Sequence, residues 1–267
     1  MSPKASQIDP TRAPSILLKG PPGFGKTIAA CSAAIWGEVW LAYFDKNEPI
    51  ELLTFYKKHR PELLERIDYD VYGSENANEY LNKLISFFKK GCRYCAIITD
   101  SVTSLSSAAV NWSIGFRDPK GSKRDELDKD SVQLIPDWDE YKVETSLATQ
   151  ALDICNQLNV INIWTAHPLA SIKLESTGSR IDRVTKTSSI VSYGQKVGSL
   201  VPGRFHEIYH FGRQQGKRAV FTDLQGEDYA KTSLGLPTVL EIEDKLFFEV
   251  WQNELRKLGL VPKEVVK

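Results

Sequence analysis

Apolar runs of four to seven residues alternate along most of the chain with longer stretches whose apolar positions recur at helical spacing. Residues 15–18 form an apolar run that stops at Gly20, and the alanine-rich stretch 26–36 reads as a helix. A second buried strand spans 38–44 and closes on Asp45, followed by an amphipathic helix over 49–59. A short strand is expected at 68–72. Residues 76–90 place Tyr80, Leu84 and Phe87 or Phe88 on one helical face, and 94–98 is a continuous apolar strand running into Thr99 and Asp100. A helix over 139–158, with Leu147, Ala151, Ile154 and Cys155 inward, leads to a strand over 160–165 that ends at Ala166 and His167. Alternating strands and helices predict an α/β fold with a mostly parallel central sheet flanked by helices.

Two stretches break the alternation. Residues 111–137 and 168–204 are polar and hold no hydrophobic period, so both are expected as long loops. Beyond them, 205–211 and 218–222 read as the strands of a β-hairpin around 212–216, and 246–258 is a final helix carrying Phe248, Val250 and Trp251. The expected organisation is a flexible leader over 1–14, a core over 15–240 and a helical extension over 241–267.

Composition narrows the class. Hydrophobic residues make up 42% and charged residues 25%, the balance of a globular domain rather than a disordered or fibrous chain. Lys plus Arg and Asp plus Glu each total 34, so any site for a polyanion must be local. The four cysteines, Cys31, Cys92, Cys95 and Cys155, are too scattered for a disulfide framework, and Cys92 and Cys95 lack the second ligand pair of a zinc site. His206 and His210 fall in a predicted strand, where residues four apart are roughly 13 Å apart and cannot share a metal. Residues 1–14 hold no apolar signal segment, and no run approaches the ~18 apolar residues of a membrane span. A cytoplasmic protein without a membrane partner is expected.

The strongest chemical signal is Gly20, Pro21, Pro22, Gly23, Phe24, Gly25, Lys26, Thr27, which meets the pattern GxxxxGK[ST] between a predicted strand and a predicted helix. In that context backbone N–H groups and the start of the helix, through Ile28, converge on phosphates. Lys26 neutralises the terminal phosphates and Thr27 ligates Mg²⁺. Asp100, at the carboxyl end of a buried strand, is the second expected Mg²⁺ residue. No NKxD motif for guanine follows, so ATP with Mg²⁺ is the expected cofactor pair. Residues 45–48 end the strand after the glycine-loop helix, and their resemblance to the place where RecA-like ATPases carry a catalytic Glu implies Glu48 as the residue that activates water, with Asp45 as the fallback. His167 ends a strand before a polar segment, the place where RecA-like proteins carry a polar sensor of the γ-phosphate, and that resemblance makes it a candidate sensor. Lys173, Arg180, Arg183, Lys186 and Lys196, with Arg204, outnumber Glu175 and Asp182 by four charges in 168–204, a candidate surface for a phosphate backbone.

Together the glycine loop, residues 100–105 (Asp-Ser-Val-Thr-Ser-Leu), Asp137-Trp138, Thr165-Ala166-His167 and residues 200–208 resemble the RecA-like P-loop ATPases of bacteriophages. The resemblance spans about 15–237. It implies a RecA-like ATPase that binds single-stranded DNA in recombination or annealing, assembles as a filament or ring, and works in the host cytoplasm beside a single-strand-binding protein. It departs from the family pattern at Glu48, one residue late for the catalytic position, and at Ser233, where an Arg is expected. The trans-acting cation of such assemblies would then be Lys231, Arg213 or Arg218. An AAA+ or helicase-type motor, a small-molecule kinase and a nucleotide-sensing module are the alternatives; Ser101, where AAA+ proteins carry Glu, disfavours the first.

Overall fold

The computed structural model describes residues 13–44, 48–115, 136, 138–177, 180–192, 195–223, 230–243 and 245–260, with backbone alone described within 169–189 and at 195. Five elements open the chain: β1 (Ser15–Lys19), α1 (Lys26–Cys31) running into a short 3₁₀ turn, β2 (Val39–Tyr43), α2 (Ile50–His59) and the single turn α3 (Pro61–Leu64). They are followed by β3 (Ile67–Val71), α4 (Ala77–Lys90), β4 (Ala96–Asp100), α5 (Val102–Gly115), α6 (Trp138–Gln157) and β5 (Ile161–Ala166). The remaining elements are β6 (Pro168–Thr177), β7 (Arg180–Ile190), α7 (Gln195–Leu200), β8 (Glu207–Gln214), β9 (Lys217–Phe221), β10 (Val239–Glu241) and α8 (Phe247–Lys257).

Eight strands form one sheet in the order β10-β9-β8-β1-β5-β4-β2-β3, parallel from β8 to β3 and antiparallel at β9 and β10. Because side chains alternate across a strand, each central strand feeds two cores. Ile16, Leu18, Leu41 and Ile98 face α1, α2 and α8, while Leu17, Trp40, Ile97 and Trp164 face α4, α5 and α6. Phe247, Phe248 and Trp251 of α8 sit in the first of these cores, so the C-terminal helix is part of the same three-layer body. No helix among the described residues is long and apolar enough to cross a membrane.

Two expected loops look different. Residues 168–204 form an antiparallel ribbon of β6 and β7, then α7 and a 3₁₀ turn. Ser and Thr suggested a loop, but Thr is a strand former, and Ile172, Leu174 and Val184 alternate with polar residues at period two. Of the other stretch, residues 111–115 complete α5, and 116–135 and 137 lie outside the described residues. The hairpin is tighter than expected. Gly212 lies within β8 opposite Ala219, and the turn is Gln215-Gly216, both at positive φ.

Candidate phosphate and metal site

Strand order brings the chemistry together. β5 lies between β1 and β4, so Lys19, Ala166 and Asp100 end side by side, and with strands about 4.8 Å apart the outer two ends are roughly 10 Å from one another. Gly20 leaves β1 bonded to its neighbour, its N–H donating to Ala166 O at 3.3 Å. Gly25 then caps α1 with φ 79°, a left-handed conformation that L side chains rarely adopt, and its carbonyl accepts from Ala29 N–H at 2.8 Å.

Lys26 opens α1 and is buried. Its Nζ donates to Gly20 O at 2.8 Å and Pro21 O at 2.9 Å, and lies 3.4 Å from His167 Nδ1. Burial lowers its pKa to about 8 against the opposing pull of Asp100. Thr27 Oγ1 donates to Asp100 Oδ2 at 2.6 Å, and Thr165 Oγ1 donates to Asp100 Oδ1. The carboxylate is thus oriented from both sides, by α1 and by β5, and is itself buried.

These groups line a cleft of about 650 Å³ that also takes in the exposed Glu48 and Arg218 and the half-buried His167. A smaller cleft of about 340 Å³, lined by Phe24, Phe55, His59 and Phe247, adjoins it, and both clefts share Gly25, Ile28 and Arg218. The sequence candidates Lys26, Thr27, Glu48, Asp100 and His167 are therefore brought to one place. Asp45 lies outside the described residues.

Other candidates are placed elsewhere. Lys173 belongs to β6, and Arg180, Arg183 and Lys186 to β7; in register Lys173 pairs with Thr185, Arg183 with Glu175 and Lys186 with Ile172. Lys196 is exposed on α7. The ribbon's base is pinned to the site: Val191 N–H donates to His167 O at 2.8 Å, and Thr103 Oγ1 on α5 donates to Val191 O at 2.9 Å. Lys231 bridges Ile208 near the start of β8, the end of the sheet away from the cleft. Arg218 lines the cleft of its own chain, and Arg213, opposite it in the hairpin, has its guanidinium 6.0 Å from the Phe24 ring. Two placements were not read from the sequence: Thr165 on Asp100, and Arg218 at the cleft of its own chain. Thr165 was visible as a polar residue closing an apolar strand, whereas the placement of Arg218 depends on strand order.

Among the described residues no group of three or more His, Cys, Asp and Glu converges as a metal site. His206 Nδ1 instead pairs with Ser15, 2.8 Å from its Oγ, and all four cysteines are free, Cys92 half-buried and the others buried.

The fold and the cleft define an α/β protein with a polar site at the carboxyl ends of its parallel strands. No protein-family model matches the chain, and no curated protein matches it. Among solved structures it is similar to one described as a unique ATP synthase subunit NeqB from Nanoarcheaum equitans, at 11% identity and a TM-score of 0.44. The likeness covers 76% of this chain and 46% of that one, so the chain spans about half of that neighbour's length.

Proposed function

We propose that this chain is a RecA-like P-loop ATPase, binding ATP with Mg²⁺ and coupling its hydrolysis to single-stranded DNA. The observation that carries the reading is the 2.6 Å hydrogen bond from Thr27 to Asp100, beside the buried Lys26. Residues 73 apart in sequence meet as a hydroxyl and a carboxylate, hard oxygen donors of the kind Mg²⁺ takes alongside nucleotide phosphates and water. Thr27 donates its proton to Asp100, which leaves its oxygen lone pairs to a cation.

In this reading the loop N–H groups and Lys26 hold the phosphates, and Thr27 and Asp100 hold Mg²⁺. When bound, Mg²⁺ neutralises charge on the phosphate oxygens. Glu48, on the cleft wall, accepts a proton from the attacking water. The water oxygen bonds to the γ-phosphorus, the bond from that phosphorus to the β–γ bridging oxygen breaks, and ADP and phosphate leave. The base lies in the smaller cleft, whose mixed lining offers Phe24 and Phe55 beside His59 and Glu243. His167 touches both Lys26 and the ribbon base, which gives a route from nucleotide to the basic strands β6 and β7. Assembly as a filament or ring, and work beside a single-strand-binding protein in a phage-infected host, follow from the family resemblance.

Steady-state ATP hydrolysis with and without single-stranded DNA tests this directly. Turnover that rises on adding DNA is the expected result; a protein that hydrolyses ATP without binding DNA loses the recombination reading, and phosphate transfer to a nucleoside favours the kinase. Replacing Arg180, Arg183 and Lys186 together with Ala should weaken DNA binding and flatten the slope of log K against log salt by about 2. An unchanged slope removes the ribbon from the DNA site.

A further inference from the structure

Gly20 packs so closely on β8 that a Cβ there would stand 2.6 Å from Phe211 O. The strand therefore leaves the glycine loop at fixed height, and the hairpin beyond Phe211 rises beside the cleft. It carries two arginines directly opposite each other, Arg213 on β8 and Arg218 on β9. Like charges facing across an antiparallel pair are unfavourable unless something negative lies between or above them. Among the described residues neither guanidinium has a carboxylate partner; Arg213 reaches Gly216 O at 3.4 Å and the face of Phe24 in the glycine loop. Their neighbour Lys217, by contrast, pairs with Glu243 at 3.3 Å.

The hairpin is also anchored where it matters. The carbonyl of Arg218 accepts from Ile242 N–H at 3.3 Å, tying β9 to the chain just after β10. Arg218 is exposed and is the one charged residue that lines both clefts. A ligand with phosphates on the glycine loop and a base in the smaller cleft passes beside it.

We propose that Arg218, reinforced by Arg213, is a phosphate clamp supplied by the same chain that holds Lys26, so the nucleotide site is completed in cis and needs no cation from a neighbouring subunit. The inference rests on the nucleotide reading above and adds to it which residue holds the phosphates from above and on which chain. Guanidinium groups suit the task because their donors form a planar fork matched to phosphate oxygens.

The test compares Arg218→Ala, alone and with Arg213→Ala, against wild type and against Lys217→Ala, which removes a paired cation from the same hairpin. Binding of ATP and of adenosine is measured for each, and turnover is measured in an equal mixture of Arg218→Ala and Lys26→Met proteins. Arg218→Ala should weaken ATP binding by about ten- to a hundredfold, the double variant further, with adenosine binding and Lys217→Ala within about twofold of wild type. Turnover in the mixture should equal the mean of the two proteins measured alone. A double variant that binds ATP as wild type does overturns the clamp while leaving the ATPase reading intact. Restored turnover in the mixture overturns the cis assignment, since a mixed assembly could then complete one site from two chains. A wild-type protein that binds no nucleotide removes both the reading and the clamp.

Discussion

Replacing Lys26 with methionine is expected to raise the melting temperature of the nucleotide-free protein while weakening ATP binding by about a hundred- to a thousandfold. The two effects have one cause. The Lys26 ammonium is buried, and burial has lowered its pKa from 10.5 to about 8, so at neutral pH the fold carries a cation it would rather not bury. A shift of that size corresponds to about 3 kcal/mol, of which the bonds to Gly20 O and Pro21 O, lost in the variant, offset a part. Methionine keeps the apolar stem and removes the charge, for a net gain of about 2 kcal/mol, or roughly 4–8 °C in a chain of this size. The sign with pH follows from the lowered value. Between about 8 and 10.5 the unfolded chain binds more protons than the folded one, so wild-type stability rises with pH across that window. Below it, the full penalty applies. The advantage of Lys26→Met should therefore be largest at pH 7 and shrink toward pH 10, and thermal unfolding at several pH values reads it. A variant that melts below wild type at pH 7 would contradict the account of Lys26 as a strained cation. Wild-type ATP affinity should in turn fall as pH rises through 8, because the form that attracts phosphate is the one being lost.

The same residues show which parts of the molecule were readable beforehand. β1, β4 and β5 were legible because both faces of a central parallel strand are covered, which leaves an unbroken apolar run. α4 was legible because its buried positions, Ala77, Tyr80 and Leu84, keep helical spacing. β10 and α3, of three and four residues, are too short for any period to declare itself. The ribbon β6–β7 failed for a different reason. It stands outside the main sheet, so only period-two alternation marks it, and its Ser, Thr and Gly content imitates a loop. Within the site, Lys26 and Thr27 were legible because the glycine loop is local, and Asp100 because it ends an apolar strand. Thr165 on Asp100 and Arg218 over the loop were not, because both depend on β5 and β8 flanking β1, and neighbour relations in a parallel sheet are set by crossovers rather than by any local pattern.

That neighbour relation is also where a single methyl group should do most damage. β1 and β8 run in register, Leu18 beside Tyr209 and Lys19 beside His210, and the chain of β1 turns into the glycine loop at the point where β8 carries Phe211. A Cβ at Gly20 would lie 2.6 Å from Phe211 O and 2.8 Å from Phe211 Cβ, and neither backbone nor Cβ can swing away as the end of a long side chain can. Phe211 is buried among Tyr209, Val220 and Phe247, so the strand cannot yield either. Gly20→Ala is therefore expected to cost about 3 kcal/mol and to lower the melting temperature by roughly 6–12 °C. Any relief must come from the loop, whose first carbonyl is the 2.8 Å partner of Lys26, so ATP affinity should fall alongside stability. The control is Gly216→Ala on the same hairpin, where a Cβ meets nothing within 4 Å but φ is 84°, so a cost of about 1 kcal/mol with unchanged ATP affinity is expected. Equal losses of affinity in the two variants would mean that the loop is not held by β8, and the fixed height of Arg213 and Arg218 above it would lose its physical basis.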